Sequence, residues 1–124
     1  MQTSPWLEWI YLANATLLIV HEIDSAYWKE WELFRLRGGI AGFLLLHVPL
    51  VAAVLVGLLW VHEQTMAGLI FSAILGFGGV FAFGIHAHFL RQGRPEFRSP
   101  ASIGILIGTL ALSLVQLAMT ISAW

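Results

Sequence analysis

The sequence predicts an all-α integral membrane protein, an up-down bundle of four transmembrane helices with a short interfacial helix after the first span. Three observations carry this. Hydrophobic residues make up 59% of the 124 positions and charged residues only 10%, where a soluble domain needs roughly a quarter of its residues charged. Four stretches are long and apolar enough to cross a hydrocarbon layer of ~30 Å, which takes ~20 helical residues. All six basic residues fall in two of the connections between those stretches.

The first span is expected at about Trp6–Asp24. Met1 to Pro5 has no basic residue, and Trp6, Glu8 and Trp9 stand where the apolar core of a cleavable signal peptide would begin, so this stretch reads as a retained span. The segment Tyr27–Arg37 mixes aromatics with charges at near-helical spacing. An interfacial helix there would dip Tyr27, Trp31 and Phe34 into the headgroup boundary and leave Lys29 and Glu30 wetter. The second span is expected at about Gly39–Val61, the third at about Met66–Leu90 and the fourth at about Ile103–Trp124. Ser4-Pro5 and Ser99-Pro100 place a capping hydroxyl before a first-turn proline, which marks helix starts. Gly104 and Gly108 form a GxxxG step on the fourth span, open to use within the bundle or in a homodimer. The third span carries Gly68, Gly76, Gly78, Gly79 and Gly84. One domain, 1–124, accounts for the chain.

Lys29, Arg35 and Arg37 follow the first span, and Arg91, Arg94 and Arg98 follow the third. In a four-span chain these connections share a side, and the positive-inside rule makes it cytoplasmic, with both termini extracytoplasmic. A bacterial inner membrane fits. Trp6, Trp9, Trp60 and Trp124 fall at the predicted outer ends and Trp28 and Trp31 at the cytoplasmic face, as interfacial belts require. The lipid bilayer is thus the first partner. A net charge of −1, with no strand and no glycine-rich phosphate loop, argues against nucleic-acid and nucleotide binding. Absence of cysteine removes disulfides, thiolate metal sites and cysteine nucleophiles.

Ionisable groups inside a membrane are costly unless paired or wet, so they are candidates for function. Counting the helical rise, His21 lies ~10 Å inward of Trp28, His47 ~12 Å inward of Gly39 and His86 ~8 Å inward of Arg91. Three histidines from three helices therefore share one layer in the cytoplasmic leaflet. At about 100° per residue, Asn14, His21 and Ser25 share a face with Asp24 at its edge, so Asn14, His21 and Asp24 are expected to make an inward polar stripe, while Glu22 would reach a neighbouring helix or Lys29. His86 is expected in the core and His88 nearer the headgroups. Ser102, Thr109, Ser113, Gln116 and Thr120 form a polar stripe on the fourth span, which would face the bundle interior or a hydrated cavity, or serve interhelical hydrogen bonding alone.

Imidazoles and carboxylates on facing helices are the usual donors for zinc, iron or manganese. His21, Asp24, His47 and His86 are the expected metal ligands, with Glu22 as general base. No HExxH pair supports this. A pair of these histidines, His47 or His21 with His86, would alternatively be axial ligands of haem b. A third reading is proton-coupled transport by a small homodimer. Small multidrug transporters share the length, the span number and an embedded glutamate in the first span, but the rest of the sequence does not resemble them. An accessory subunit of a membrane complex is a fourth, and hydrogen-bonded structural histidines near the headgroups the blandest.

The run His21-Glu22-Ile23-Asp24-Ser25-Ala26-Tyr27-Trp28-Lys29-Glu30-Trp31-Glu32-Leu33-Phe34 resembles the opening signature of a family of small, uncharacterised bacterial four-span membrane proteins. The resemblance implies the fold and draws attention to His21–Phe34, but implies no mechanism. The expectation is a membrane-embedded metal-binding protein with a His/carboxylate site in the cytoplasmic leaflet, serving catalysis on a lipid or other apolar substrate.

Overall fold

A computed structural model describes residues 4–124; Met1–Thr3 of the predicted outer tail lie outside the described residues. Five helices follow one another: α1 (Pro5–Tyr27), α2 (Glu30–Leu33), α3 (Gly39–His62), α4 (Met66–Arg91) and α5 (Pro100–Ser122). Both predicted caps form. Ser4 Oγ accepts from the Trp6 N–H at 3.3 Å and Ser99 Oγ from the Ser102 N–H at 3.0 Å, each with proline in the first turn.

The long helices alternate in direction. Glu8 meets His62, Tyr11 bonds the Val54 carbonyl and Glu22 meets His47, so α1 and α3 run antiparallel. Ser72 meets Thr120 while Gly79 faces Thr109 and Ser113, so α4 and α5 do too. The connections 28–38 and 92–99 therefore lie at one end, and the basic residues collect there.

Helices α3, α4 and α5 are each long and apolar enough to cross a membrane. Helix α1 has the length, at 23 residues, but is more polar. Of the predicted inward stripe, Asn14 and His21 are buried and Asp24 is half-buried; Ser25, on the same face, is buried too, while Thr16 is exposed. Outward-facing Trp6, Trp9 and Ile23 are exposed, and so is most of α3.

The stripe on α5 is buried throughout, and Ser113, Gln116 and Thr120 hydrogen-bond to other helices, whereas Ser102 bonds Ser99 of its own cap and Thr109 Oγ1 has no partner. Asn14 Nδ2 donates to Ser113 Oγ at 3.0 Å and to Gln116 Oε1 at 2.9 Å; Gln116 Nε2 donates to the Ser72 carbonyl at 2.8 Å. This ladder ties α1, α4 and α5 together. Asn14→Ala is expected to destabilise the fold by about 1–2 kcal/mol, because it leaves Gln116 and Ser113 short of a partner. A lower midpoint in detergent-induced unfolding would show it.

Close approach is set elsewhere than the GxxxG step. A Cβ at Gly104 would meet nothing within 4 Å and one at Gly108 only the tip of Leu17. On α4, by contrast, a Cβ at Gly68 would strike the backbone of Trp60 and Val61, and one at Gly79 would overlap Ser113 Oγ. The glycines of α4, not those of α5, bring the helices together.

Candidate metal centre

Helix α1 ends at Trp28, and Lys29 then adopts the left-handed conformation, φ 52°. That single residue stops α1 and redirects the chain into α2. The four-residue α2 closes with Arg35 left-handed, φ 54°, and the Leu36 N–H bonded back to the Trp31 carbonyl at 2.7 Å, a Schellman-type ending. Between these two breaks Glu30 turns under the bundle. Its side chain is only 12% exposed and stands 3.6 Å from His86 Nε2.

His86, on α4, meets His21, on α1, edge to face with ring centroids 4.5 Å apart. Both are buried. His21, Glu30 and His86 each offer one ligand atom, and these lie within 4.8 Å of one another. Donor atoms around a tetrahedral zinc, bonded at ~2.0–2.2 Å, stand ~3.4 Å apart.

The hydrogen bonds around the cluster define it further. His86 Nδ1 is 2.7 Å from the Ala82 carbonyl, an acceptor, so Nδ1 carries a hydrogen, and in the neutral ring Nε2 presents its lone pair. Metal-binding histidines are commonly held this way, through a backbone carbonyl behind the ring. His86 Nε2, His21 Nδ1 and Glu30 Oε2 are all buried without a hydrogen-bond partner. Three orphaned polar atoms, one from each residue, are costly unless something else binds them.

A second imidazole–carboxylate pair stands beside the first. His47 Nδ1 donates to the Phe43 carbonyl at 2.7 Å, and His47 Nε2 lies 2.7 Å from Glu22 Oε2. With Nδ1 protonated, that contact needs one more shared proton. Either imidazolium faces carboxylate or a neutral carboxyl donates to a bare nitrogen. The pair is therefore built to hold or pass a proton.

Both pairs line one cavity of about 460 Å³ between α1, α3 and α4, roofed by α2 through Glu30, Trp31 and Phe34. Apart from these five ionisable residues its walls are aliphatic or aromatic. Phe97 seals the cluster from the other side. It is buried, takes a left-handed φ of 62°, and packs on His86 at 4.3 Å and His21 at 5.8 Å between centroids. Such a φ is rare for a bulky residue.

Of the expected ligands, then, His21 and His86 come together, while His47 pairs with Glu22. Asp24 stands outside the cluster, with Oδ2 buried and unpartnered. Glu30, expected on the wet side of the interfacial helix, is turned inward, because the left-handed Lys29 breaks the helical register used to place it. Phe97 carried one signal: it is the single apolar residue in the polar run Arg94–Ser99, proline aside. His88 is exposed, as expected, and His62 bonds Glu8 at 3.2 Å at the far end. A haem between His21 and His86 would require the two rings to part, since centroids 4.5 Å apart leave no space for a macrocycle.

A family of unknown function, DUF6713, matches residues 7–123. The chain belongs to this family. The DUF6713 match takes in all of α1 to α5 except a few terminal residues, and with them His21, Glu22, Glu30, His47, His86 and Phe97. No curated protein and no solved structure matches the chain.

Proposed function

We propose that the chain is a four-span protein of a bacterial inner membrane that binds one divalent metal ion through His21, Glu30 and His86 and uses it on an apolar substrate. The observation that carries this reading is that His21, Glu30 and His86 bring ligand atoms within 4.8 Å of one another and that each also holds a buried nitrogen or oxygen without a hydrogen-bond partner. Helix α1 is the fourth span. Its 23 residues reach ~34 Å, Asn14, His21 and Ser25 face protein, and Glu22 is paired with His47. The basic end of the bundle, with the metal site, faces the cytoplasm.

Two imidazoles and one carboxylate leave the fourth position of a tetrahedral ion free, the arrangement of catalytic rather than structural zinc. His21, Glu30 and His86 all line the cavity, where an ion they held would activate water or polarise a substrate oxygen. Glu22 and His47, on the same cavity, would take or give the proton that such a step moves.

Cobalt(II) titration of the untagged protein tests this. Visible d–d bands that saturate at one equivalent are expected in the wild type and absent in His21→Ala. A featureless titration of the wild type, or a Soret band in the protein as purified, contradicts the reading. Glu22→Gln is expected to leave the cobalt bands and their stoichiometry unchanged, because Glu22 bonds His47 and not the ion. Loss of the bands in that variant would make Glu22 a ligand.

A further inference from the structure

We infer that the cavity takes the single acyl chain of an amphiphile, entering sideways from the cytoplasmic leaflet, with its oxygen-bearing head at the metal site and its tail toward Val54 and Leu75. The inference rests on the proposed metal site for its polar end; its apolar end stands on the shape of the cavity alone.

The cavity has two chemically distinct ends. Every ionisable residue lining it sits at the basic end of the bundle: His21 and Glu22 on α1, Glu30 on α2, His47 near the start of α3 and His86 near the end of α4. Toward the other end only apolar residues remain, ending at Val54 on α3 and Ile74 and Leu75 on α4. From Ile74 to His86, or Phe43 to Val54, the cavity runs ~17 Å along the helices, the length of an extended chain of about a dozen carbons. A volume of about 460 Å³ falls within the range of single-ligand pockets, ~300–1,000 Å³.

Its direction matches the membrane. In the cytoplasmic leaflet an amphiphile carries its head at the level of the basic connections and its tail toward the midplane, which is how the cavity is laid out. Entry from the side is also built in. Helices α3 and α4 touch near their turn, where Gly57 meets Phe71 and Gly68 meets Trp60. Farther from the turn the cavity lies between them, and its rim residues Leu50, Ile74 and Phe81 are more than half exposed, at 51%, 60% and 68%. Gly78 stands in that opening: it lines the cavity, and a Cβ there would meet nothing within 4 Å. A side chain at Gly78 would thus fill the passage without disturbing the packing.

The test is photolabelling in phosphatidylethanolamine nanodiscs with a long-chain fatty acid carrying a diazirine at its tail, followed by peptide mass spectrometry. Label is expected on Val54 and Leu75. In Gly78→Trp it should fall at least about ten-fold, the loss expected when even two or so methylenes are denied burial. Gly104→Trp, whose Cβ also meets open space on α5, should label like the wild type and serves as the folding control. Competition by unlabelled dodecanoic acid or by a lysophospholipid tells whether the chain is free or esterified. Label spread over the lipid-facing Leu44, Leu45 and Val48, unaffected by Gly78→Trp or by either competitor, overturns the inference. Metal content measured on the same sample separates the two readings. Cavity labelling without metal sinks the metal site and keeps the acyl chain; metal with only surface labelling does the reverse.

Discussion

His86→Ala is expected to lower zinc affinity by at least about a hundred-fold, more than the loss of an outer partner of a metal ligand usually costs. His86 is the ligand whose orientation is most fully determined. Its Nδ1 is bonded to the Ala82 carbonyl, its ring is held between His21 and Phe97, and its Nε2 aims at Glu30 without a hydrogen bond. Removing it leaves one imidazole and one carboxylate, too few to compete with water for a divalent ion. Because the change also removes a buried ring packed on His21 and Phe97, an unfolding midpoint measured on the same sample shows that the variant is still folded. Competition against a chromophoric chelator measures the effect. Asp24→Ala and His47→Ala are the controls, and both should bind zinc as the wild type does. If His47→Ala loses zinc to the same degree as His86→Ala, the ion is shared with the Glu22–His47 pair and the two pairs do not have separate roles.

Gly68→Leu is expected to be the most destabilising single change outside the site, by about 3 kcal/mol. A Cβ at Gly68 would fall on the Trp60 carbonyl and the Val61 nitrogen, which are backbone atoms and cannot swing aside. The Trp60 carbonyl is doubly fixed, accepting from the Thr65 N–H at 3.1 Å and from Thr65 Oγ1 at 3.0 Å. Thr65 Oγ1 in turn caps α4 by accepting from the Gly68 N–H at 3.1 Å. Leucine gains up to ~1 kcal/mol over glycine in helix propensity, too little to offset a clash with this turn. The outcome would be read as loss of folded protein in detergent or a sharply lower unfolding midpoint. Gly104→Leu should be neutral, within about 0.5 kcal/mol. The opposite pattern would return the close helix contact to the GxxxG step of α5.

Periodicity makes the helices and their faces legible in the sequence. The inward face of Asn14 and His21, the stripe from Ser102 to Thr120, the proline starts and the shared level of His21 and His86 along the bundle are all consequences of regular helix geometry, and each appears in the structure. What periodicity cannot carry is the place where a helix stops being regular. Lys29 and Phe97 are left-handed without being glycine, so no turn residue marks either break, yet one sends Glu30 inward and the other places an aromatic ring under the histidines. Angular spacing also assigns a side chain to a direction and not to a partner. His47 lies at the expected depth, but the nearest carboxylate in its direction is Glu22. The glycine motif fails for a related reason: spacing shows which residues share a face, and tertiary packing decides which face is used.

A metal ion held by His21, Glu30 and His86 is tested most directly by the metal content of the untagged protein, purified without chelator and measured by inductively coupled plasma mass spectrometry. About one equivalent of zinc, iron or manganese per chain in the wild type, falling to background in the His21→Ala, His86→Ala double variant, is the predicted result. A wild-type protein that holds no metal, and acquires none on reconstitution while remaining folded, would contradict it.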